Sequence, residues 1–597
     1  MVYCGKPSRG CQMCRARRIK CDETKPTCNQ CAKSRRQCPG YKDEFDLVFR
    51  NETQATERRA RKANKKASAQ KSGKLGSQTA TRAVVIHKPA PDQSILSTLQ
   101  LPVEQQATCH FLSNFVLLPA HDHTRGWMEF VVPLLKADQI RPTPHFKLAF
   151  EACALASLGN RVGPGCDFET KALGHYTRAL SATFVALKDP ALSKDDSTLA
   201  AVLLLGLFEN ISAKQLGMLA WGSHIEGAIN LVKSRDKRQI KTKTGLALFV
   251  ATRTQMIIHT LTTGTAPAMG VEWWITDSVN NHFGAECQRL NIRTAELRAE
   301  SNRLMATLSR SPENIEMLLD IVRRCQTLDQ QHAAWANSLP EYFQYKSVAW
   351  EDNVPNGNYG LAEVFPGRID AYQDLWVVSV WNLMRCSRII LASLIVRCAA
   401  WVCAPVDYRT TPEYATAART CVDNITDIIS SVPYQLGWFS NRRELLERAN
   451  LSAFGCGEED ALKGLPGYFL TWPLTCVQGQ DYTTDAQRAW VKGRLQFIGS
   501  HLGVRYAHVL RQLNVRVPSM LIRRDGLMAN PYPGAYNFEK LLSSKTAPAM
   551  AGYTLNPIQQ HDAIQKERAH HQKHELLSKA RGSMNNEERV AQGLLQL

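Results

Sequence analysis

Six cysteines crowd into the stretch Cys11–Cys38, "CQMCRARRIKCDETKPTCNQCAKSRRQC", at a spacing that suits metal ligation. The stretch is two copies of one pattern: "CQMCRARRIKC" and "CNQCAKSRRQC" are both C-x2-C-x6-C, offset by 17 residues. A segment this short and polar cannot bury enough apolar surface to fold unaided, so a cross-link has to give it shape. Zinc is the natural one. Thiolates bind it tightly, structural zinc takes four ligands, and Cys-x2-Cys puts two sulfurs on one side of a turn. Two tetrahedral ions need eight ligand positions, and six sulfurs fill them if two are shared, one from each half of the repeat. The six thiolates and two Zn²⁺ would sum to a charge of −2. The eight Lys and Arg within the same stretch offset that charge and favour the thiolate form. Other readings of the cysteines are a disulfide knot, a zinc store or purely structural module, and two separate zincs with one completed by a distant His. "MVYCGKPSRG" has no apolar run of a signal peptide, which argues for a reducing compartment and against the knot. A store would leave the basic residues without purpose. Cys4 falls outside the repeat and is read as no ligand.

The charge around this cluster is uneven along the chain. The 597 residues carry a formal net charge of +19. Residues 1–90 hold 22 Lys+Arg against 7 Asp+Glu, and residues 91–597 hold 51 against 47. The basic character therefore belongs to the N-terminal arm, whose partner should be a polyanion, nucleic acid before an anionic membrane surface.

The rest of the chain supplies the frame. Residues 9–41 form the cysteine module. Residues 42–100 read as a basic, largely disordered linker: "ETQATERRARKANKKA" favours helix but has almost no apolar face, and "SAQKSGKLGSQTATR" lacks material for a core. Its run "RRARKANKKASAQKSGK" suits nuclear import, phosphate contact or a plain solvated charged helix. From residue 101 helical periodicities appear between Pro/Gly breaks, and 101–540 is expected to be one large all-α domain or two closely packed ones. In "KALGHYTRALSATFVAL" a stripe of Leu173, Tyr176, Leu180, Phe184 and Leu187 recurs at helical spacing; in "YATAARTCVDNITDII" Tyr414, Ala418, Cys421, Ile425 and Ile428 do the same. The apolar runs "LAAVLLLGLF" and "IILASLIVRCAAWVCA", the latter broken by Arg397, read as buried helices and not as membrane spans. Residues 541–597 are a polar tail, with a charged helix expected near "QKERAHHQKHELLSKA". The fold class is thus mainly α: a small binuclear zinc-cluster module followed by a large all-α helical domain.

The complete spacing, with "CRARRIKCDETKPTC" inside it, resembles the fungal binuclear zinc-cluster transcription factors. "PGYKDEFDLVFRNE" extends the likeness, and "FEACALASLGNR", "HYTRAL", "WGSHIEGAINLV" and "GYFLTWPL" resemble segments of the helical regulatory region in one branch of that family. The resemblance implies that Cys11, Cys14, Cys21, Cys28, Cys31 and Cys38 hold two Zn²⁺, with Cys11 and Cys28 as the bridging pair. It implies a cis Pro26 between the halves and a helix after Cys14 that enters the major groove of double-stranded DNA. Arg17 and Arg18 fall where the family reads bases, and Arg15 and Lys20 where it contacts phosphates. Arg stands where many members carry Lys. Because Arg can pair with guanine O6 and N7, a CGG-type triplet remains the expected half-site. The linker lacks the heptad positions of the coiled coil many relatives have there, which leaves open a monomer or a homodimer paired through the helical domain.

Other polar features read as ordinary structure. His121, Asp122 and His123 form a polar loop, and Trp221 and His224 are core packing. "GPG" and "GCGEED" lack a phosphate-binding pattern, and "HHQKHE" is a solvated helix. No nucleophile motif, H-E-x-x-H or dinucleotide fingerprint occurs, so no enzyme is expected. The expectation is a nuclear, zinc-dependent, sequence-specific DNA-binding transcription regulator that meets coregulators and no membrane. The alternative is an α-helical scaffold whose zinc module binds protein.

Overall fold

The computed structural model describes residues 11–39, except 25, and 101–525, except 120–123, 164–166, 213–216, 236, 276–282, 310, 405, 450 and 452–461. The linker 42–100, the tail 541–597, the His121–Asp122–His123 loop and "GCGEED" lie outside the described residues. The chain falls into two compact units, Met1–Thr98 and Leu99–Leu597.

The first unit has two five-residue helices, α1 (Gln12–Ala16) and α2 (Asn29–Lys33). Helices this short do not persist in water by themselves.

The second unit is built on helices. In order they are α3 (Val103–Phe115), α4 (Val131–Asp138), α5 (Pro144–Val162), α6 (Phe168–Lys188), α7 (Asp196–Ser212), α8 (Gly217–Ser234), α9 (Lys243–Thr263), α10 (Val271–Trp274), α11 (Phe283–Thr307) and α12 (Pro312–Ser338). A two-stranded antiparallel sheet follows, β1 (Lys346–Glu351) on β2 (Gly367–Ala371), with Lys346 opposite Ala371 and an irregularity between Ser347 and Ala349. The chain continues through α13 (Leu375–Cys403), α14 (Pro412–Gln435), α15 (Arg443–Arg448), α16 (Gly464–Gly479), α17 (Asp485–His501), α18 (Tyr506–Gln512) and α19 (Ser519–Arg524). The hairpin is the addition to an otherwise all-α reading.

Local chemistry sets many of these boundaries. Ser311 and Thr411 each accept a backbone N–H of the first turn ahead of a proline at the first helical position. Asp374 caps α13 by accepting Val377 N–H at 2.8 Å. Thr484 and Gln487 form a reciprocal capping box at the start of α17. Gly264 ends α9 at φ 67°, where a side chain would be strained.

The centre of the second unit is α13, with 24 of its 29 residues buried. It packs against α11, α12, α14 and α16. It is long and apolar enough to cross a membrane, yet it is enclosed by protein. Arg385 and Arg397 of this helix are buried and each has polar partners. Arg385 Nη1 donates to Tyr372 Oη at 2.8 Å and Asn382 Oδ1 at 3.0 Å. Arg397 donates twice to Asp525, at 2.6 and 3.0 Å, and once to Asn302 at 2.5 Å.

The two helical stripes meet different fates. In α14 the stripe faces the core, with Cys421, Ile425 and Ile428 buried. In α6 the helix is as expected, but Leu173, Leu180, Phe184 and Leu187 are exposed and Tyr176 is half-buried. The buried residues of α6 are instead Phe168, Ala172, Ala179, Thr183 and Ala186. Gly159 of α5 makes room for the first of them: a Cβ there would come within 2.7 Å of Phe168 Cβ.

Candidate metal centre and nucleic-acid interface

The two halves of the cysteine repeat fold alike, bond for bond. Cys14 N–H donates to Cys11 Sγ at 3.4 Å, and 17 residues later Cys31 N–H donates to Cys28 Sγ at 3.4 Å. Each short helix ends the same way. Ile19 N–H reaches back to Cys14 O at 3.1 Å, and Arg36 N–H to Cys31 O at 3.0 Å. The residue before each closing bond is left-handed: Arg18 at φ 56° and Arg35 at φ 48°. This is the helix stop that glycine usually provides, carried here by an arginine in both halves.

These turns bring all six predicted sulfurs together. They form two groups of four, Cys11–Cys14–Cys21–Cys28 and Cys11–Cys28–Cys31–Cys38, with each group's sulfurs within 4.8 Å of one another. Cys11 and Cys28 belong to both groups, which is the shared pair that the ligand count demands. Sγ···Sγ separations are 3.7 Å for Cys11–Cys28, Cys11–Cys31 and Cys14–Cys28. That is far beyond a disulfide. It matches the edge of a tetrahedron with metal–sulfur bonds of about 2.3 Å, which is about 3.8 Å. Cys11, Cys14, Cys28 and Cys31 are fully buried, and Cys21 and Cys38 are half-buried. The donor set thus fits two Zn²⁺.

The electrostatics of the thiols agree. Burial, above all, holds the Cys14 thiol far above its ordinary range and pushes Cys31 up to about 12. Cys21 goes the other way, to about 7, chiefly because Cys11 N–H donates to its sulfur. Thiols packed this closely resist ionising one beside another, and divalent cations that displace their protons relieve the crowding.

Around the sulfurs lie the predicted DNA-contacting residues. Arg17, Arg18 and Lys20 are exposed. The Arg15 side chain and the Lys25–Pro26 bond lie outside the described residues. Arg17 Nη1 donates to Ser34 Oγ at 3.2 Å and so ties one half to the other. The repeat shows that the two halves place their basic residues differently. Arg15, Arg17 and Lys20 of the first half correspond to Ala32, Ser34 and Gln37 of the second, Ala16 and Ile19 correspond to Lys33 and Arg36, and Arg18 corresponds to Arg35.

Two residues that the spacing did not single out hold the loop between the halves. Asp22 Oδ2 accepts Asn29 N–H at 3.1 Å and Asn29 Nδ2 at 2.8 Å, and it also accepts the Thr24 hydroxyl. The Thr24 hydroxyl is the main cause of a lowered Asp22 carboxyl pKa. Ser34 is the other, through Arg17. The available signal was Asp-x-Thr ahead of a helix start, a common local capping pattern.

Among the described residues, these two sulfur groups are the clusters of Cys, His, Asp or Glu placed to hold a metal ion. His224, of the Trp221–His224 pair, contacts Tyr176 Oη through Nε2 at 3.2 Å.

Comparison with known proteins places these features. Residues 9–46 match the fungal Zn(2)-Cys(6) binuclear cluster domain, and residues 109–274 match the fungal specific transcription factor domain. The chain is 22% identical over 419 residues to the transcription factor dbaG of Emericella nidulans, covering 68% of this chain and 91% of that protein. It is 51% identical over 47 residues to white-opaque regulator 2 of Candida albicans, covering 8% of this chain and 10% of that protein. It is 69% identical over 29 residues to the lysine biosynthesis regulatory protein LYS14 of Saccharomyces cerevisiae, covering 5% of this chain and 4% of that protein. No solved structure matches the chain.

Proposed function

The chain belongs to the fungal binuclear zinc-cluster transcription factors, and from that premise we propose that its first half-repeat reads DNA in the major groove. The observation that carries this reading is where the basic residues fall on two halves of one shape. Arg15, Arg17 and Lys20 occupy positions where the second half has Ala32, Ser34 and Gln37, while Lys33 and Arg36 of the second half stand where the first has Ala16 and Ile19. Arg17 and Arg18 are the base-reading pair, suited to the guanines of a CGG-type triplet, and Arg15 and Lys20 hold phosphates. Bound zinc supplies the cross-links of the head. Asp22 holds the loop between its halves, and Arg17 exchanges its bond to Ser34 for a guanine on the preferred duplex. The protein acts in the nucleus on double-stranded DNA. Residues 101–540 form the regulatory domain that meets coregulators, the basic linker 42–100 follows phosphates, and a homodimer would pair through the helical domain.

The test is a fluorescence-anisotropy titration of the full-length protein against CGG-containing and scrambled duplexes at several salt concentrations. Preference for the CGG duplex, lost on chelation and falling steeply with salt, is expected. Arg17→Ala should cost about 1–3 kcal/mol on the preferred duplex and much less on the scrambled one. Equal affinity for both duplexes would overturn the reading in favour of a zinc module that contacts protein.

A further inference from the structure

The helical body encloses a cavity that none of the DNA-directed chemistry uses. Its volume is about 150 Å³, measured as the space open to the centre of a water-sized sphere. By that measure one water needs roughly 10–15 Å³, so the space suits a molecule of roughly ten to twenty non-hydrogen atoms. Side chains from α8, α9, α11, α13, α16 and α18 line it, together with the Trp127 segment before α4. The wall is aromatic: Trp127, Trp221, Trp376, Tyr468, Phe469 and Trp472 all face it. Flat ring faces of this kind favour a ring-containing guest.

The polar groups in the wall are few and incompletely used. Trp127 Nε1 is buried without a hydrogen-bond partner. Gln288 Nε2 donates to Thr254 Oγ1 at 3.0 Å, which leaves its buried Oε1 without one. Gln255 Oε1 accepts from Tyr468 Oη at 3.2 Å. An unpaired donor and an unpaired acceptor in one wall are costly in the empty protein, and a guest can satisfy them. The charged groups present do not call for an ion. Burial raises the pKa of the Glu129 carboxyl, whose buried Oε2 also lacks a hydrogen-bond partner, more than nearby Arg125 lowers it, and His259 faces Glu226 at 3.4 Å.

We propose that this cavity binds a neutral, mostly apolar, ring-containing small molecule with one hydrogen-bond acceptor for Trp127 Nε1–H and one donor for Gln288 Oε1. The site is built from both sides of the family-matched segment 109–274: Trp127 and Trp221 lie within it, and Trp376, Tyr468 and Trp472 beyond it. A bound guest therefore joins α8 and α9 to α13 and α16 and stabilises the body as a unit. This inference does not depend on the DNA-reading assignment.

The probe is N-phenyl-1-naphthylamine, a neutral aromatic amine with one N–H that brightens in apolar surroundings. Titrated into the full-length protein, it should brighten saturably with one site per chain and raise the thermal midpoint of the body. Ala247→Trp, a wall position on α9, should weaken binding by at least about tenfold. Gln288→Leu, which keeps the volume and removes the acceptor, should weaken it by about threefold to tenfold. Brightening that never saturates, or saturates at several sites per chain, would overturn the proposal. So would unchanged affinity in an Ala247→Trp protein that melts like the parent. Should Ala247→Trp fail to fold, Gln288→Leu decides, and unchanged affinity there overturns the proposal.

Discussion

In the head, the fully buried side chains are Cys11, Cys14, Cys28 and Cys31, with Met13, Cys21 and Cys38 packed around them. In the body, one apolar cluster runs from Ala107 to Ile522 and takes in residues from almost every helix. The head's organising contacts span at most 27 residues, as from Cys11 to Cys38. The body joins Arg397 to Asp525 across 128 residues and Asn160 to Gly503 across 343. A metal-held shape therefore rests on a few side chains of fixed type and spacing, whereas a core-held shape is spread over many side chains, each replaceable by others of similar size.

The sharpest way to break that comparison is to remove a shared sulfur. Cys11→Ser takes one ligand from both four-sulfur groups, while Cys38→Ser takes one ligand from a single group. Elemental analysis of the purified full-length protein should give loss of both zinc ions in the first case and of one in the second. In both variants the far-UV helical signal of the body should remain. Retention of two zincs by Cys11→Ser would remove the shared-sulfur arrangement.

The matching experiment in the body removes a charge partner. Asp525→Ala leaves the Arg397 guanidinium, 3% exposed, without its carboxylate. Uncompensated buried charge costs about 3–5 kcal/mol, so the unfolding midpoint in urea should fall accordingly while zinc content stays unchanged. A shift below about 1 kcal/mol would place this pair among ordinary surface ion pairs.

Acidification should separate the same region by a different term. Burial pulls His332 down to about 3 and His224 to about 4. His332 Nε2 lies 3.3 Å from Thr294 Oγ1, and Arg388, the one charged group that acts on it, disfavours a second positive charge. The folded pKa is depressed, so its contribution to stability is complete above the unfolded value of about 6.5 and is lost as pH falls towards 3. Within that window one such group costs up to about 1.4 kcal/mol per pH unit. Comparing unfolding free energies at pH 7 and pH 5, His332→Phe should lose less stability than the parent. Identical losses would show that His332 takes up its proton in the folded state.

The same contrast explains what could be read from the residues alone. Six ligands, two ions and two shared sulfurs followed from spacing and valence, because zinc imposes its geometry locally. The helices also followed from apolar periodicity between Pro/Gly breaks, and in the structure Thr411–Pro412 and Ser311–Pro312 stand at two of their starts. The cavity and the β1–β2 hairpin did not. The cavity depends on Trp127, Gln288 and Trp472, which are far apart in the chain. The hairpin's registered strands are separated by an excursion from Glu351 to Gly367 that is too long for the Asn356–Gly357 turn within it to fix their pairing. Arg397 looked like an interruption of an apolar run, and its partner Asp525 lies too far away for any local pattern to pair them.

Helix α6 carries the smallest expected effect and the narrowest lesson. Its large apolar residues recur at helical spacing as well as those of α14, yet Leu180 is 38% exposed while Ile428 is fully buried. Periodicity predicts a helix with two faces, and packing selects which face is covered. In α6 the covered face is Ala172, Ala179, Thr183 and Ala186, with Phe168 at its start seated on Gly159 of α5. Leu180→Ser should therefore change the unfolding free energy by no more than about 0.5 kcal/mol, despite replacing a leucine in an apolar stripe. A loss above about 2 kcal/mol, measured by urea unfolding, would mean that the stripe is covered in the folded protein and that the alanine face is not what holds α6 in place.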